Sequence, residues 1–298
     1  MASSIKLVNN GKKILLDRFL NTTPTRSEMT TFQVGIGSTA PTSTDTSMET
    51  KVPIVNTELV DSCDSITGFV DSADMTITVN TTTFKQGTGS LNLTKDGTSS
   101  TDASTVKTVT SLDFTSKEIE LWYYVLDTTT LNLHETTDCI TINYGSDSSN
   151  YYVWTKNKAD LSVGWNRIGL LTTSNVDSTT GTPSLTAMDY FKILITATST
   201  GATWSAGAVA MDDIKIVSSD DYTKVDESGY PTVDYTTLTA ELRSRINTVQ
   251  AVGYPLTEVG FLNTDGTPLL GIRATFSAIS KTLTDEVIFS IKLDTEEN

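Results

Sequence analysis

The stretch LTEVGFLNTDGTPLLGIRATF, residues 256–276, decides how the chain folds outside its middle. Two apolar runs flank the pair Asp265-Gly266, and Asp-Gly between such runs predicts a tight β-hairpin. The next run, SKTLTDEVIFSIKLD (280–294), alternates apolar and polar residues, which predicts a strand with one buried face. These strands need others to cover them, yet the segment before them is polar and rich in threonine. Their partners must come from a distant part of the chain.

The composition favours strands and excludes two classes of partner. Short polar residues fill much of the 298-residue chain and only 19 % of residues are charged, which is typical of short strands and tight turns. A net charge of −15 leaves no basic stripe to neutralise phosphates, so we expect no nucleic-acid binding and no attraction to anionic membranes. The excess of acidic residues favours solubility and affinity for divalent cations.

The N-terminal segment and the cysteines indicate where the protein is made. Residues 1–20 contain no apolar run long enough for a signal peptide or a spanning helix, which predicts synthesis in a cytoplasm and no membrane insertion. Two cysteines, Cys63 and Cys139, do not make a disulfide framework. They either form one bridge or remain two small buried thiols.

Residues 63–217 break into short alternating segments separated by turn residues. Strands at this spacing predict a β-sandwich or jelly roll. The segments are DMTITVN (74–80), GSLNLT (89–94), EIELWYYVLD (118–127), CITINYG (139–145), NYYVWT (150–155), FKILITAT (191–198) and VAMDDIKIV (209–217).

Two flanking segments have helical features. KKILLDRFL (12–20) is compatible with a short helix. In ELRSRINTVQAV (241–252), the four-residue spacing of Leu238, Leu242 and Ile246 fits a helix, while the β-rich context fits an extended segment equally well.

The apolar strands at the two ends of the sequence have no cover of their own. The economical solution is that they pair with each other and that the middle block is an insertion. The predicted fold is therefore all-β: a jelly-roll β-sandwich (59–219) inserted into a split β-domain made of residues 1–58 and 220–298.

The flanks resemble a family of tailed-bacteriophage virion proteins from tail, baseplate or fibre regions. The family pairs an early VGxGxxxPxxxDTxxxxEV stretch with a late ExGxFNxDGxxLLxRxxFxxIxK stretch. Here these are VGIGSTAPTSTDTSMETKV (34–52) and EVGFLNTDGTPLLGIRATFSAISK (258–281). Two departures are the Gly271-Ile272 pair before Arg273 and the long interval between the stretches.

This resemblance implies a non-enzymatic structural component of a virion, assembled in the host cytoplasm. Its partners would be other virion proteins, with several copies of the chain in the particle. The split β-domain would anchor it and the insert would face outward. The alternative is a capsid or tail decoration protein that stabilises the particle and binds no glycan.

The insert resembles jelly rolls of the carbohydrate-binding-module type. The residues that carry the likeness are FKQGTGSLNL (84–93), ELWYYV (120–125), SDSSNYYVW (146–154), LSVGWNRIGL (161–170) and MDDIKIV (211–217). The resemblance implies host-surface glycans as ligands. It also implies a structural Ca²⁺ in which Asp212 is joined by Asp61 and Asp64.

Alternation along MDDIKIV supports an unusual environment for Asp212. It places Asp212 beside Ile214 and Ile216, facing the core, and Asp213 outward. A carboxylate that faces a core must be paired, hydrogen-bonded or bound to a cation, and oxygen ligands suit Ca²⁺. The alternative is that Asp212 accepts backbone N–H groups near a loop.

Four aromatic residues are candidates for stacking against sugars. Trp122 and Tyr124 share one strand face, and Tyr152 and Trp154 share another. The alternative is that these rings fill the sandwich core, where we also place Trp165.

No catalytic constellation is visible. The one histidine, His134, lies in a polar segment and is expected to be solvated, with no nucleophile motif that points to it. Adjacent acids such as Asp212-Asp213 point to opposite faces of a strand, unlike the paired carboxylates of a glycosidase. A glycan depolymerase is thus the least favoured function.

Overall fold

Strands dominate the chain, in agreement with the predicted all-β class. The computed structural model describes residues 2–54, 57–234, 236, 239–282 and 284–294. The described strands are β1 Ala2–Leu7, β2 Met29–Gly35, β3 Lys51–Val52, β4 Glu58–Asp61, β5 Phe69–Asp71, β6 Met75–Asn80, β7 Ser90–Lys95, β8 Asp102–Leu112, β9 Lys117–Val125, β10 Ile140–Asp147, β11 Asn150–Lys156, β12 Gly164–Thr172, β13 Ser178–Thr180, β14 Met188–Thr196, β15 Val209–Ser218, β16 Lys224–Val225, β17 Thr232–Asp234, β18 Thr239–Ile246, β19 Pro255–Asn263, β20 Leu270–Ser280 and β21 Val287–Asp294.

Helices are few and short. The α-helices are α1, Asn9–Leu20, and α2, Thr128–Asn132, and single 3₁₀ turns lie at Lys158–Asp160 and Ser219–Tyr222. Among the described residues no helix combines the length and apolar character needed to cross a membrane.

The chain divides into two compact units. The terminal unit comprises Met1–Asn56 with Ser219–Asn298, and the inserted unit comprises Thr57–Ser218. In the terminal unit, sheet A has the strand order β1-β20-β19-β2-β16, with β3 beside β2, and sheet D has the order β17-β18-β21. In the inserted unit, sheet B has the order β12-β9-β15-β7-β6, with β4 beside β15, and sheet C has the order β13-β11-β10-β14-β8-β5.

The hairpin β19–β20 finds its partners in the first residues of the chain. β19 pairs antiparallel with β2, where Val259 lies opposite Val34, and β20 pairs with β1, where Ile272 lies opposite Leu7. The hairpin is therefore covered on both edges by strands that precede the inserted unit in sequence. The segment 241–252, which allowed a helix or a strand, is extended over β18, while Leu238 lies outside the described residues.

A close approach of α1 to β20 explains the Gly271 departure from the family pattern. The carbonyl of Gly271 accepts the N–H of Val8 at 3.0 Å, just before the helix. A Cβ on Gly11 of the helix would lie 2.2 Å from that carbonyl oxygen, and a Cβ on Gly271 would lie 2.1 Å from the Met29 sulfur. Glycine at both positions lets the helix backbone lie against the strand.

Glu258 and Arg273 form a buried ion pair within the hairpin. Glu258 has no exposed surface and Arg273 is 3 % exposed. The Arg273 Nη2 and Nε atoms lie 2.8 and 2.9 Å from Glu258 Oε2. Glu258 Oε1 also accepts the backbone N–H groups of Gly37, at 3.2 Å, and Thr50, at 2.9 Å. The carboxylate therefore connects the hairpin with the segment that follows β2.

Arg273 extends this network to two further acids. Its Nη1 lies 2.9 Å from Asp45 and its Nη2 lies 3.3 Å from Glu49. Asp45 and Glu49 belong to the early stretch that resembles the virion family, and Glu258 and Arg273 belong to the late one. The residues that carry the resemblance are thus in contact in the folded terminal unit.

The two layers of the inserted unit enclose its core. Sheets B and C contribute alternating apolar side chains, and the largest of these are aromatic. The core includes Leu91, Leu121, Tyr123, Ile142, Tyr144, Trp154, Phe191, Ile193, Met211, Ile214 and Ile216. Cys63 and Cys139 are free and buried, so the alternative of two buried thiols holds.

The expectation of a solvated His134 was wrong, because His134 is fully buried. Its Nδ1 donates to the Thr130 carbonyl at 3.0 Å, and its Nε2 accepts from the Tyr123 hydroxyl at 2.7 Å. The ring stacks on Trp204 with centroids 5.3 Å apart. Burial lowers the pKa of His134 below its ordinary value, so the imidazole is a neutral core group.

We predict that Arg273→Ala destabilises the terminal unit by about 3–5 kcal/mol, because the variant leaves the Glu258 carboxylate buried without its ion-pair partner. The control is Arg18→Ala, which removes an ion pair with Glu28 whose side chains are 37 % and 53 % exposed. We expect this control to cost less than about 1 kcal/mol.

The two units can be followed separately in this experiment. Each tryptophan of the chain lies in the inserted unit, at Trp122, Trp154, Trp165 and Trp204. The loss of stability of the terminal unit in Arg273→Ala should appear in calorimetry, while the unfolding transition followed by tryptophan fluorescence is unchanged. An Arg273→Ala cost no larger than that of Arg18→Ala would contradict the proposed importance of the buried pair.

Candidate functional site

Two of the predicted sugar-stacking residues are core residues. Trp154 is buried, and its indole N–H donates to the Thr172 carbonyl at 3.1 Å. Tyr152 packs against the same core with its ring centroid 6.1 Å from that of Trp154. The two share a face of β11, as alternation predicted, but that face points between the sheets.

The other two lie on the face of sheet B that points away from the core. Trp122 is buried there, under the Lys85 ammonium, which lies 4.4 Å from the ring centroid. Tyr124 is half-buried and packs against Trp165, with centroids 5.2 Å apart. The placement of Trp165 in the core was wrong, because Trp165 pairs in register with Tyr124 and shares its outward face. The four predicted residues therefore do not form one surface.

A β-bulge reverses the predicted orientation of Asp212. Asp213 has a left-handed φ of 49°, and the register with β9 shifts between Asp212 and Lys215. Met211 and Ile214 both face the core, three positions apart, so Asp212 faces away from the core opposite Trp122. The predicted core orientation was wrong because strict alternation fails at the bulge.

Asp212 and Asp64 hold one loop through its backbone. Asp212 Oδ2 accepts the N–H groups of Lys85, at 2.6 Å, and Gln86, at 2.9 Å. Asp64 Oδ1 accepts those of Thr88, at 2.6 Å, and Gly89, at 2.7 Å. The two carboxylates thus fix residues 85–89, which belong to the predicted FKQGTGSLNL motif.

The three predicted calcium ligands are engaged in different ways. Asp61 Oδ2 is paired with the Lys107 ammonium. Asp212 Oδ1 is buried with no hydrogen-bond partner, and burial raises the pKa of Asp212 to about 7. Within the described part of the chain, no group of three or more acidic, histidine or cysteine side chains is arranged to hold a metal. Asp61 Oδ2, Asp64 Oδ1 and Asp212 Oδ2 already have donor partners while Asp212 Oδ1 has none, so the calcium site stays a prediction.

We predict that Asp64→Ala accelerates hydrogen exchange of the Thr88 and Gly89 amides about tenfold or more, because each loses a charge-assisted hydrogen bond worth about 1.5–3 kcal/mol. Hydrogen-exchange mass spectrometry of the peptide covering residues 84–93 measures this. Asp113→Ala, which removes an exposed turn contact to the Thr115 amide, is the control. If Ca²⁺ slowed exchange in this loop and EDTA restored it, the calcium prediction would be correct instead.

A pair of tyrosines lies on the outer face of sheet C. Gly145 on β10 is in register with Tyr151 on β11 and with Tyr190 on β14. Tyr144, next to Gly145, is a core residue, so these three residues point away from the core. The two half-buried rings lie above the glycine with centroids 5.7 Å apart and an interplanar angle of 33°.

Gly145 is required for this arrangement. Its Cβ, if present, would lie 2.2 Å from the Asn150 carbonyl oxygen and 2.5 Å from the Tyr151 Cα. The absence of a side chain also leaves space in which rings from two non-adjacent strands meet. Burial raises the pKa of Tyr190, and the neighbouring Tyr151 adds to the shift, so the Tyr190 hydroxyl stays protonated at neutral pH.

The next row of residues on this face is polar. Asn143 on β10 lies opposite Lys192 on β14, two positions along each strand from the tyrosine row. Asn143 is 7 % exposed, and its Oδ1 is buried without a hydrogen-bond partner. We call Tyr151, Tyr190, Gly145, Asn143 and Lys192 the tyrosine face.

The sequence did not single out the tyrosine face. Four of its members come from three segments that were each recognised as strands, and Tyr190 lies one residue before the third, FKILITAT (191–198). Alternation separates Tyr151 from Tyr152, but only the pairing of β11, β10 and β14 shows which of the two is outside. A glycine directly after an aromatic residue, as in NYG (143–145), is the one local signal that was available.

Comparisons with known proteins find solved structures that are similar to about half of this chain. No protein-family model matches this chain, and no curated protein matches it. Similar solved structures include a family 11 carbohydrate-binding module of a Clostridium thermocellum cellulosomal cellulase, with 12 % identity and a TM-score of 0.39, covering 55 % of this chain and 96 % of the module.

Two further solved structures show the same level of similarity. A CBM22 xylan-binding domain of Paenibacillus barcinonensis has 12 % identity and a TM-score of 0.33, covering 55 % of this chain and 96 % of that domain. An exo-β-agarase has 11 % identity and a TM-score of 0.38, covering 54 % of this chain and 25 % of the enzyme. A likeness at this level carries no argument about what the present chain binds.

Proposed function

We propose that the chain is a non-enzymatic glycan-binding protein and that the tyrosine face is its binding surface. The observation that carries the proposal is the pair of half-buried rings of Tyr151 and Tyr190, held 5.7 Å apart over a glycine. Flat aromatic faces with polar groups at one end are suited to sugar rings, whose faces carry C–H groups and whose edges carry hydroxyls.

Asn143 adds a hydrogen-bonding group to this surface. A buried amide oxygen without a partner costs about 1–3 kcal/mol, and a ligand hydroxyl would recover that cost. The acceptor lies two residues, or about 6.6 Å, along the strand from the aromatic row, which is about the length of one sugar ring. Stacking and hydrogen bonding would thus act on the same or on adjacent sugars.

Among the described residues, the strand rows on the Lys192 side of the rings contain no carboxylate, which supports a binding role over hydrolysis. Asp147 and Asp189 lie beyond the tyrosine row on β10 and β14, and Asp147 accepts the Ser149 N–H and the Asn150 side-chain amide. The outward residues next to the tyrosine face are Val106, Thr108, Thr141, Val153 and Leu194, as judged from strand register. Glycoside hydrolysis by two carboxyl groups needs them on opposite sides of the scissile bond. No such pair flanks the rings in these rows.

We predict that Tyr151→Ala and Tyr190→Ala each weaken glycan binding about tenfold, which corresponds to ~1.4 kcal/mol per ring. Affinity electrophoresis of the full chain against neutral gels (β-glucan, xylan, galactan) and acidic gels (polygalacturonate, alginate, hyaluronan) measures this. Tyr124→Ala, at the half-buried ring on sheet B, is the matched control and should bind like the parent chain.

Other results would contradict the proposal in distinct ways. If Tyr124→Ala lost binding and Tyr151→Ala did not, the site would lie on sheet B. If reducing ends accumulated with time, the chain would be a depolymerase. Retention on none of the six gels would remove the glycan-binding function.

A second candidate function, a structural role in a virion, rests on the surface of the terminal unit. Helix α1 exposes Leu16 and Leu20 at 56 % and 72 %, four positions apart on one face. Beside it lies an apolar groove of about 300 Å³. The groove is lined by Ile14, Leu15, Arg18, Glu28, Met29, Pro231, Val233, Ala240 and Leu242. Contiguous apolar surface of this kind is typical of protein–protein contacts.

We infer from this surface, together with the family resemblance of the flanks, that the terminal unit docks onto other virion proteins. Several copies in one particle would turn weak single-site glycan contacts into strong attachment. A decoration protein without glycan binding would use the same docking surface and differ only at the tyrosine face.

We predict that immunogold labelling with an antibody against residues 57–218 decorates purified phage particles. Label at a tail tip or on fibres fits host adhesion, and label along the head or tail fits decoration. The control is the same serum after absorption with the purified chain. Protein found in the soluble lysate and on no particle would exclude the virion role.

A further inference from the structure

Lys192 is a free cation on the tyrosine face. It follows Tyr190 by two residues on β14, so both side chains point away from the core. It is partly exposed, and in the described part of the chain it has no hydrogen-bond or ion-pair partner. Its register neighbours, Asn143 and Val106, carry no charge.

Most other cations of the inserted unit have fixed contacts. Lys107 and Lys117 pair with carboxylates. Lys215 and Arg167 both pair with Glu120. Lys95 binds backbone carbonyls, and the Lys85 ammonium lies over the Trp122 ring. Lys156 and Lys158 have no ion pair among the described residues, but they lie at the end of β11 and in the turn after it.

Among the described residues, the strands beside β14 place no carboxylate within one row of Lys192. The rows around it contain Ser104, Val106, Thr141 and Val153. Asp177, at the edge of sheet C, accepts the backbone N–H and the hydroxyl of Thr155. A ligand anion is therefore the remaining partner for the ammonium group on this face.

We propose that the ligand of the tyrosine face is an acidic glycan, with a carboxylate or sulfate group bound by Lys192. One sugar stacks on Tyr151 and Tyr190, and one of its hydroxyls or a neighbour's donates to Asn143 Oδ1. The anionic group binds Lys192 in the same row as Asn143, about 6.6 Å along the strands from the tyrosine row. This inference rests on the proposed glycan-binding function and adds the charge of the sugar.

Matched pairs of probes test the inference with the full chain. Isothermal titration uses oligogalacturonate against its carboxyl-reduced form, sialyllactose against lactose, and sulfated galactan against galactan. In at least one pair, we expect the acidic member to bind about tenfold or more tightly than the neutral one at 50 mM salt, with the difference shrinking at 500 mM because salt screens the ion pair.

Two lysine variants separate a local contact from the net charge of the chain. Lys192→Met should weaken binding of the acidic probe about tenfold more than it weakens binding of the neutral counterpart. Lys158→Met removes the same charge from the 3₁₀ turn and should bind like the parent chain. Circular dichroism of both variants checks that they are folded.

The outcomes distinguish this inference from the proposed function. Equal binding of acidic and neutral members in every pair, lost in Tyr151→Ala, overturns the acidic-glycan inference and leaves glycan binding in place. Equal loss of acidic and neutral binding in Lys192→Met also overturns it, since Lys192 would then donate to hydroxyls. No binding in any pair or on any of the six gels removes both proposals.

Discussion

A carboxylate buried away from solvent is stable in a fold only when donors surround it, and Glu258 meets this requirement with donors from both ends of the sequence. Arg273 supplies its guanidinium from the same hairpin, and Gly37 and Thr50 supply N–H groups from the segment after β2. That segment is polar and irregular, and Met48 is one of its few buried apolar residues. Its position is therefore set by charge as much as by the hydrophobic effect, and the early and late stretches must fold together.

The strands were predictable because alternation and turn residues report local structure. The Asp-Gly hairpin, the seven segments of the middle block and the extended terminal run all became strands. The predictions that were wrong depended on strand pairing and long-range contacts, which a single sequence does not reveal. The left-handed backbone at Asp213 inserts one residue into β15 and reverses Asp212, and no residue type in MDDIKIV marks that bulge. Likewise His134 was assigned to solvent because its segment is polar, yet Trp204, far along the chain, covers it.

The aromatic residues show the same limit in a sharper form. Alternation correctly grouped Trp122 with Tyr124 and Tyr152 with Trp154, but it does not show which face of each strand lies against the core. The buried face is determined by the sheet that packs opposite. Trp154 is therefore a core residue, whereas Tyr151 on the same strand lies on the outer face. A binding face assembled from three strands is a property of register, because Gly145 belongs to it only through its position between Tyr151 and Tyr190.

The insertion is compatible with both units because, in each unit, the two chain segments that meet the junction lie side by side. In the terminal unit, the Ile54 N–H donates to the Asp221 carbonyl at 2.7 Å, so the chain leaves and re-enters at adjacent backbone positions. In the inserted unit, Glu58 on β4 lies opposite Ile216 on β15. Neither core has to open to accommodate the other. Residues that would recognise a glycan can therefore change without disturbing the Glu258 network, and the docking surface can change without altering the tyrosine face.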